Sequence, residues 1–119
     1  MSEDWKVLIN GWANQIPMAK RFFVTASILR AIGQPEESSQ LYSQAKESFE
    51  KVGDQSGIAK TLGQLGRLAE EQGDLELAER LYKEAHQIFE RLGANPYLKL
   101  AKRDVQRVRR KASSHGEPA

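Results

Sequence analysis

The sequence predicts an all-α protein, an array of about six helices with no sheet. Three observations predict it. Glycines stand at positions 33, 53, 73 and 93, one every 20 residues. The stretch QLYSQAKESFEKVG at 40–53 returns as RLYKEAHQIFERLG at 80–93, with Leu, Tyr, Ala, Phe, Glu and Gly at the same places. No segment alternates apolar and polar residues with the period of two that a half-buried strand needs. Apolar residues recur instead at steps of three and four.

Length and composition set the frame. A chain of 119 residues fits one small domain, whose core has little margin. Hydrophobic content of 39% and charged content of 29% are those of an ordinary globular protein rather than a disordered one. With no cysteine there is no disulfide framework and no thiolate zinc site. That suits a reducing cytosol, so a cytoplasmic location is expected. The opening MSEDWKVLINGWANQIP places acids before its apolar residues and has no uninterrupted apolar run. It reads neither as a signal peptide nor as a membrane span, and no membrane partner is expected.

Each element has its own signals. Trp5, Leu8, Ile9, Trp12 and Ile16 line one face of a capping helix over 1–16. Phe22, Ala26, Leu29 and Gly33 mark the next helix. Pro35, after Gln34, suits a first helical position and opens a helix with the stripe Leu41, Tyr42, Ala45, Phe49 and Val52. Past Gly53, Asp54 or Ser56 can cap a helix carrying Leu62, Leu65, Leu68 and Ala69. Asp74 caps the one after it, with Leu81, Tyr82, Ala85, Phe89 and Leu92. Pro96, after Asn95, opens the last helix, striped by Leu98, Ala101, Val105, Val108 and Ala112. A helix of roughly 17 residues, about 25 Å long, fills each interval. Glycine ends each one because it adopts the left-handed conformation without a Cβ clash. Residues 113–119 are too polar to pack and are expected to form a disordered tail.

Repetition explains the duplicated framework. A single helix pair cannot bury its apolar face, so it stacks on a copy of itself. Ala45 and Ala85 let paired helices approach closely, while Tyr42, Tyr82, Phe49 and Phe89 fill the space between pairs.

At this point LGQLGRLAEEQGDLELAERLYKEAHQIFERLG (62–93) resembles the tetratricopeptide repeat in a 40-residue form. Leu65-Gly66 is similar to the family's Leu-Gly pair, Gly73-Asp74 to its turn, and Ala78, Tyr82 and Ala85 to its packing residues. The best-matching repeat is therefore 54–93. A degenerate unit at 18–53 keeps Gly33, Tyr42 and Ala45, with Ala26 for the glycine, Leu29 for the aromatic and Ser38 for the small alanine. Residues 95–112 resemble the first helix of a third unit, with Gln106 where a small residue is usual. The resemblance implies one domain over 1–112, a right-handed superhelical array of antiparallel helix pairs. It also implies an adaptor or scaffold that binds peptides or partner proteins rather than an enzyme.

Catalytic chemistry has little to work with. The two histidines are apart, His86 in mid-helix, where it is expected to be exposed, and His115 in the polar tail. Glu70 and Glu71 are adjacent, diverge by about 100° around a helix and read as solvated charges. GIAKTLGQLG lies inside a helix pattern, whereas a phosphate loop needs strand, turn and helix. No metal, cofactor or enzymatic activity is expected.

Charge points to partners. Residues 1–35 balance at +2, residues 36–91 at −5 and residues 92–119 at +5. In tetratricopeptide arrays the first helix of each pair lines a concave groove. That layout would bring Lys20, Phe23, Ser27 and Arg30 to the groove from the first unit, and Lys60, Gly63, Arg67, Glu70 and Glu71 from the second. Arg103, Arg107 and Arg110 would come from the terminal helix. The groove would be mostly basic and suited to an acidic peptide, through arginine–carboxylate pairing. Ser27 and Arg67 stand at the asparagine places of the family's carboxylate clamp, so that pattern is not reproduced. Trp5 and Trp12 form an alternative docking patch if their face is uncovered. Few repeats with unsealed ends also allow self-association or a larger assembly. The alternative class is nucleic-acid or acidic-surface binding through KLAKRDVQRVRRK (99–111), which has seven bases against one acid but no interleaved aromatics.

Overall fold

The computed structural model describes residues 17–116, and among them the chain forms five helices and no strand. They are α1 (Met18–Ala31), α2 (Pro35–Val52), α3 (Gln55–Glu71), α4 (Leu75–Leu92) and α5 (Asn95–Gly116). The expected opening helix over 1–16, with Trp5 and Trp12, lies outside the described residues. Helix α5 runs to Gly116, so the tail expected from residue 113 is helical over its first four positions. No buried contact is needed there, because Lys, Ala and Ser continue a helix already nucleated by its packed half.

All four turns are built alike. Gly33, Gly53, Gly73 and Gly93 take φ of 83°, 73°, 85° and 67°, and no other residue described has a positive φ. In each, the residue after the glycine donates its N–H to a carbonyl five residues back, as Asp54 does to Phe49 and Asp74 to Ala69, both at 2.9 Å. This closes the last turn of the outgoing helix. The same aspartates open the next helix: Asp54 Oδ1 accepts from the Gly57 N–H at 2.9 Å, and Asp74 Oδ1 from the Leu77 N–H at 3.1 Å. One residue thus ends one helix and starts another, which keeps the turn short and folds each helix back on its predecessor. Pro35 takes the first position of α2, whereas α5 begins at Asn95, one residue before Pro96.

Packing follows the duplicated framework. Ala45, Phe49, Ala85 and Phe89 belong to one cluster with Ala59, Leu62 and Ala101, joining α2, α3, α4 and α5. Tyr42 packs with Ala26 and Leu68, and Tyr82 with Ala69, Ala78, Val105 and Val108. Close approach is needed twice against α3. A Cβ at Gly66 would stand 2.9 Å from the Tyr82 ring, and one at Gly57 would collide with Phe49. In the degenerate unit Ser38 is fully buried where the second unit has Ala78, and its hydroxyl donates to the Ala26 carbonyl at 2.6 Å. The hydroxyl is thereby satisfied, which is what lets a polar residue replace alanine in the core. His86 is partly buried rather than exposed. It sits one turn from both Tyr82 and Phe89, at the margin of the buried stripe, so its neighbours shield it.

Candidate functional site

The first helix of each pair, together with α5, borders an open groove of about 720 Å³. Phe23 reaches it from α1, while α3 contributes Lys60, Gly63, Arg67, Glu70 and Glu71. Helix α5 supplies Tyr97, Leu100, Asp104, Arg107 and Lys111, and Phe89 and Tyr82 of α4 line it from behind. Gly63 occupies the position equivalent to Phe23, 40 residues on, and a Cβ there would meet nothing within 4 Å. The missing side chain therefore opens the groove rather than relieving a clash.

One part of the lining is apolar. The Tyr97 ring stacks on Phe89 with centroids 5.1 Å apart and planes at 15°, and the Lys60 ammonium lies 4.8 Å from the Tyr97 centroid. Tyr97 and Leu100 nevertheless remain 41% and 54% exposed. Phe23 meets Tyr42 edge-on at 5.4 Å, which leaves one side of it for the groove. Tyr97 escaped the sequence reading because it sits at the first turn of α5, off the apolar stripe of that helix.

Elsewhere the lining is charged, and its charges are largely paired with one another. Glu70, whose side chain is only 8% exposed, accepts two bonds from Arg107, at 2.8 and 2.7 Å. It also accepts from Lys111 and from the Tyr82 hydroxyl at 2.9 Å. Arg107 pairs in addition with Asp104 at 2.8 Å. The Arg107 guanidinium holds the Glu70 carboxyl well below its usual range, at about 2; Lys111 and Tyr82 assist, and burial opposes. Burial, and then the Glu70 carboxylate, push the Tyr82 hydroxyl up, and the bond to Glu70 raises Arg107. Glu70 is therefore no solvated charge but a clamp joining α3, α4 and α5. Glu71 remains exposed and lies between Arg30 at 3.0 Å and Arg67 at 3.4 Å.

These pairs narrow the expectation of a mostly basic face. Four bases and three acids line the groove. Of the bases, Arg107 and Lys111 are held by Glu70 and Arg67 by Glu71, which leaves Lys60 over its aromatic ring. Among the residues singled out from sequence, Phe23, Lys60, Arg67 and Arg107 come together in the groove. Arg30 stands behind Glu71 on α1, and Lys20, Arg103 and Arg110 are exposed outside the lining. The basic run of α5 is likewise divided: Arg109 pairs with Glu79 at 2.7 Å and draws its carboxyl below the usual range. Lys99, Lys102, Arg103 and Arg110 form no ion pair among the described residues. Within the same residues no helix is long and apolar enough to cross a membrane.

A family model described as tetratricopeptide repeat matches residues 25–91, more than half of the chain. Repeats of this kind generally mediate protein–protein interaction and are typically non-enzymatic. A comparison with curated proteins finds no match.

Proposed function

The chain belongs to the tetratricopeptide-repeat family, and from that premise we propose that it acts as a small adaptor whose groove holds an acidic segment of a partner protein. One observation carries the reading: Tyr97 and Leu100 stay exposed inside a groove, beside Lys60 and Arg67. An apolar side chain of the partner seats against Phe23, Tyr97 and Leu100, and a carboxylate meets Lys60 and Arg67. Apolar burial supplies most of the affinity, because an exposed ion pair contributes at most about 1 kcal/mol. The carboxylate sets orientation and selects against basic segments. A ligand carboxylate near Arg67 would compete with Glu71, whose 3.4 Å bond to it is the longer of its two.

The test is a titration of fluorescein-labelled peptides pairing one Leu or Phe with two or three Glu, alongside a labelled single-stranded oligonucleotide. The wild type should bind the acidic–apolar peptides, and Lys60→Glu with Arg67→Glu should weaken them roughly tenfold with helicity unchanged. Undiminished peptide binding by the double variant would refute the proposed orientation. Oligonucleotide binding alone, with a steep salt dependence removed by neutralising Lys102, Arg103 and Arg110, would move the function to the outer face of α5.

A further inference from the structure

The two ends of the helical array are finished differently. At one end α5 turns Lys99, Lys102, Arg103, Gln106 and Arg110 to solvent, a polar surface that needs no cover. At the other end α1 exposes Val24 and Ile28, and Ile32 just past its last residue continues the same four-residue spacing, with Met18 at the start of the helix; Val24, Ile28, Ile32 and Met18 are 54%, 56%, 62% and 58% exposed. These are four of the eight large apolar side chains left exposed among the described residues, three on the 14-residue helix and one at its C-cap. Ile28 lies roughly 180–200° around the helix from Ala19 and Ala26, which are buried against the rest of the array. The stripe therefore faces outward from the end of the array, away from the groove. A terminal repeat whose outer face is apolar is incomplete, since stacking arrays need polar ends to stay soluble.

We propose that residues 1–16 of the same chain fold back along α1 and cover Val24, Ile28 and Ile32, with Trp5, Leu8, Ile9, Trp12 and Ile16 as the covering side chains. Three features favour this occupant. The segment joins α1 through Pro17, whose φ of −53° and ψ of 141° are extended rather than helical, so α1 is not prolonged through it. In helical form, 16 residues reach about 24 Å, against about 21 Å for the 14 of α1. The apolar residues of the segment recur at steps of three and four, matching a stripe to a stripe. Tethering adds a further advantage, because a linked segment acts at an effective concentration of order mM, well above that of a second copy in dilute solution.

The chain's two tryptophans, Trp5 and Trp12, are both in this segment, so tryptophan emission reports on it alone. The experiment compares emission and acrylamide quenching of the full chain in native buffer, in denaturant and as the Ile28→Glu variant. Ile28 is exposed, so helicity by circular dichroism should survive the change. The native chain should emit blue-shifted from the denatured chain and resist quenching, and Ile28→Glu should move both readings to the denatured values. Sedimentation should give a monomer whose emission does not vary with concentration. Native emission already at the denatured position would overturn the proposal without reference to any variant. So would a blue shift untouched by Ile28→Glu, or one that appears only as a dimer forms, since a second copy would then cover the stripe.

Discussion

Two glycines of α3, three residues apart, illustrate how position decides the effect of one methyl group. Gly63 faces open groove, while Gly66 has the Tyr82 ring where its Cβ would be, 2.9 Å away. Alanine favours a helix interior over glycine by up to about 1 kcal/mol. Gly63→Ala should therefore stabilise the protein by roughly 0.5–1 kcal/mol. Gly66→Ala should destabilise it by roughly 1–3 kcal/mol, because Tyr82 is tied through its hydroxyl to Glu70 and cannot give way. Denaturant midpoints of the two variants check this, and equal shifts would show that Gly66 is not in tight contact. Ala85→Leu belongs to the same class, with an expected loss of roughly 1–3 kcal/mol from overpacking at a site 1% exposed.

At the scale of the element, Glu70 determines how α5 sits. It is the common acceptor for Arg107 and Lys111 of α5 and for Tyr82 of α4, so its loss should loosen the last helix first. Glu70→Gln should cost roughly 1–3 kcal/mol, since a partly buried guanidinium loses the more buried of its two charged partners, Asp104 remaining. The pH dependence follows from the sign of the shift. The Glu70 carboxyl lies at about 2 in the fold, against an ordinary 4.5. Its contribution is complete above about pH 4.5, and it is lost as pH falls toward 2, where the folded carboxyl also becomes protonated. Melting across that window should show wild type and Glu70→Gln converging at the acid end. Parallel curves would mean that the clamp does not titrate as described.

The elements themselves were largely legible in the sequence, whereas this clamp was not. Turn glycines and the Tyr–Ala–Phe stripe announce themselves because left-handed φ and close packing each demand a residue type locally. An ion pair between positions 70 and 107 depends on α3 and α5 lying side by side, and nothing in either helix marks the partner. The same gap hid the pair of Arg30 with Glu71, whereas Arg67 and Glu71 are four apart on α3 and their pairing is local; both reduce how basic the groove is. Tyr97 is hidden for a related reason: its ring packs on Phe89 across the turn, outside the apolar stripe of α5.

On the scale of the whole molecule, first helices stacked side by side form the groove, and the absence of a side chain at Gly63 keeps it open. If a partner segment lies in this groove, filling the groove should displace it. Gly63→Phe introduces no clash at Cβ and suits the helix better than glycine, yet it projects a ring into the space facing Tyr97 and Leu100. The decisive measurement is the affinity of an acidic–apolar peptide for wild type and Gly63→Phe, by fluorescence anisotropy, with thermal melts confirming the fold. The variant should be at least as stable as wild type and bind the peptide at least about tenfold more weakly, a loss of some 1.4 kcal/mol. A stable Gly63→Phe protein that binds the peptide as tightly as wild type would contradict binding in the groove.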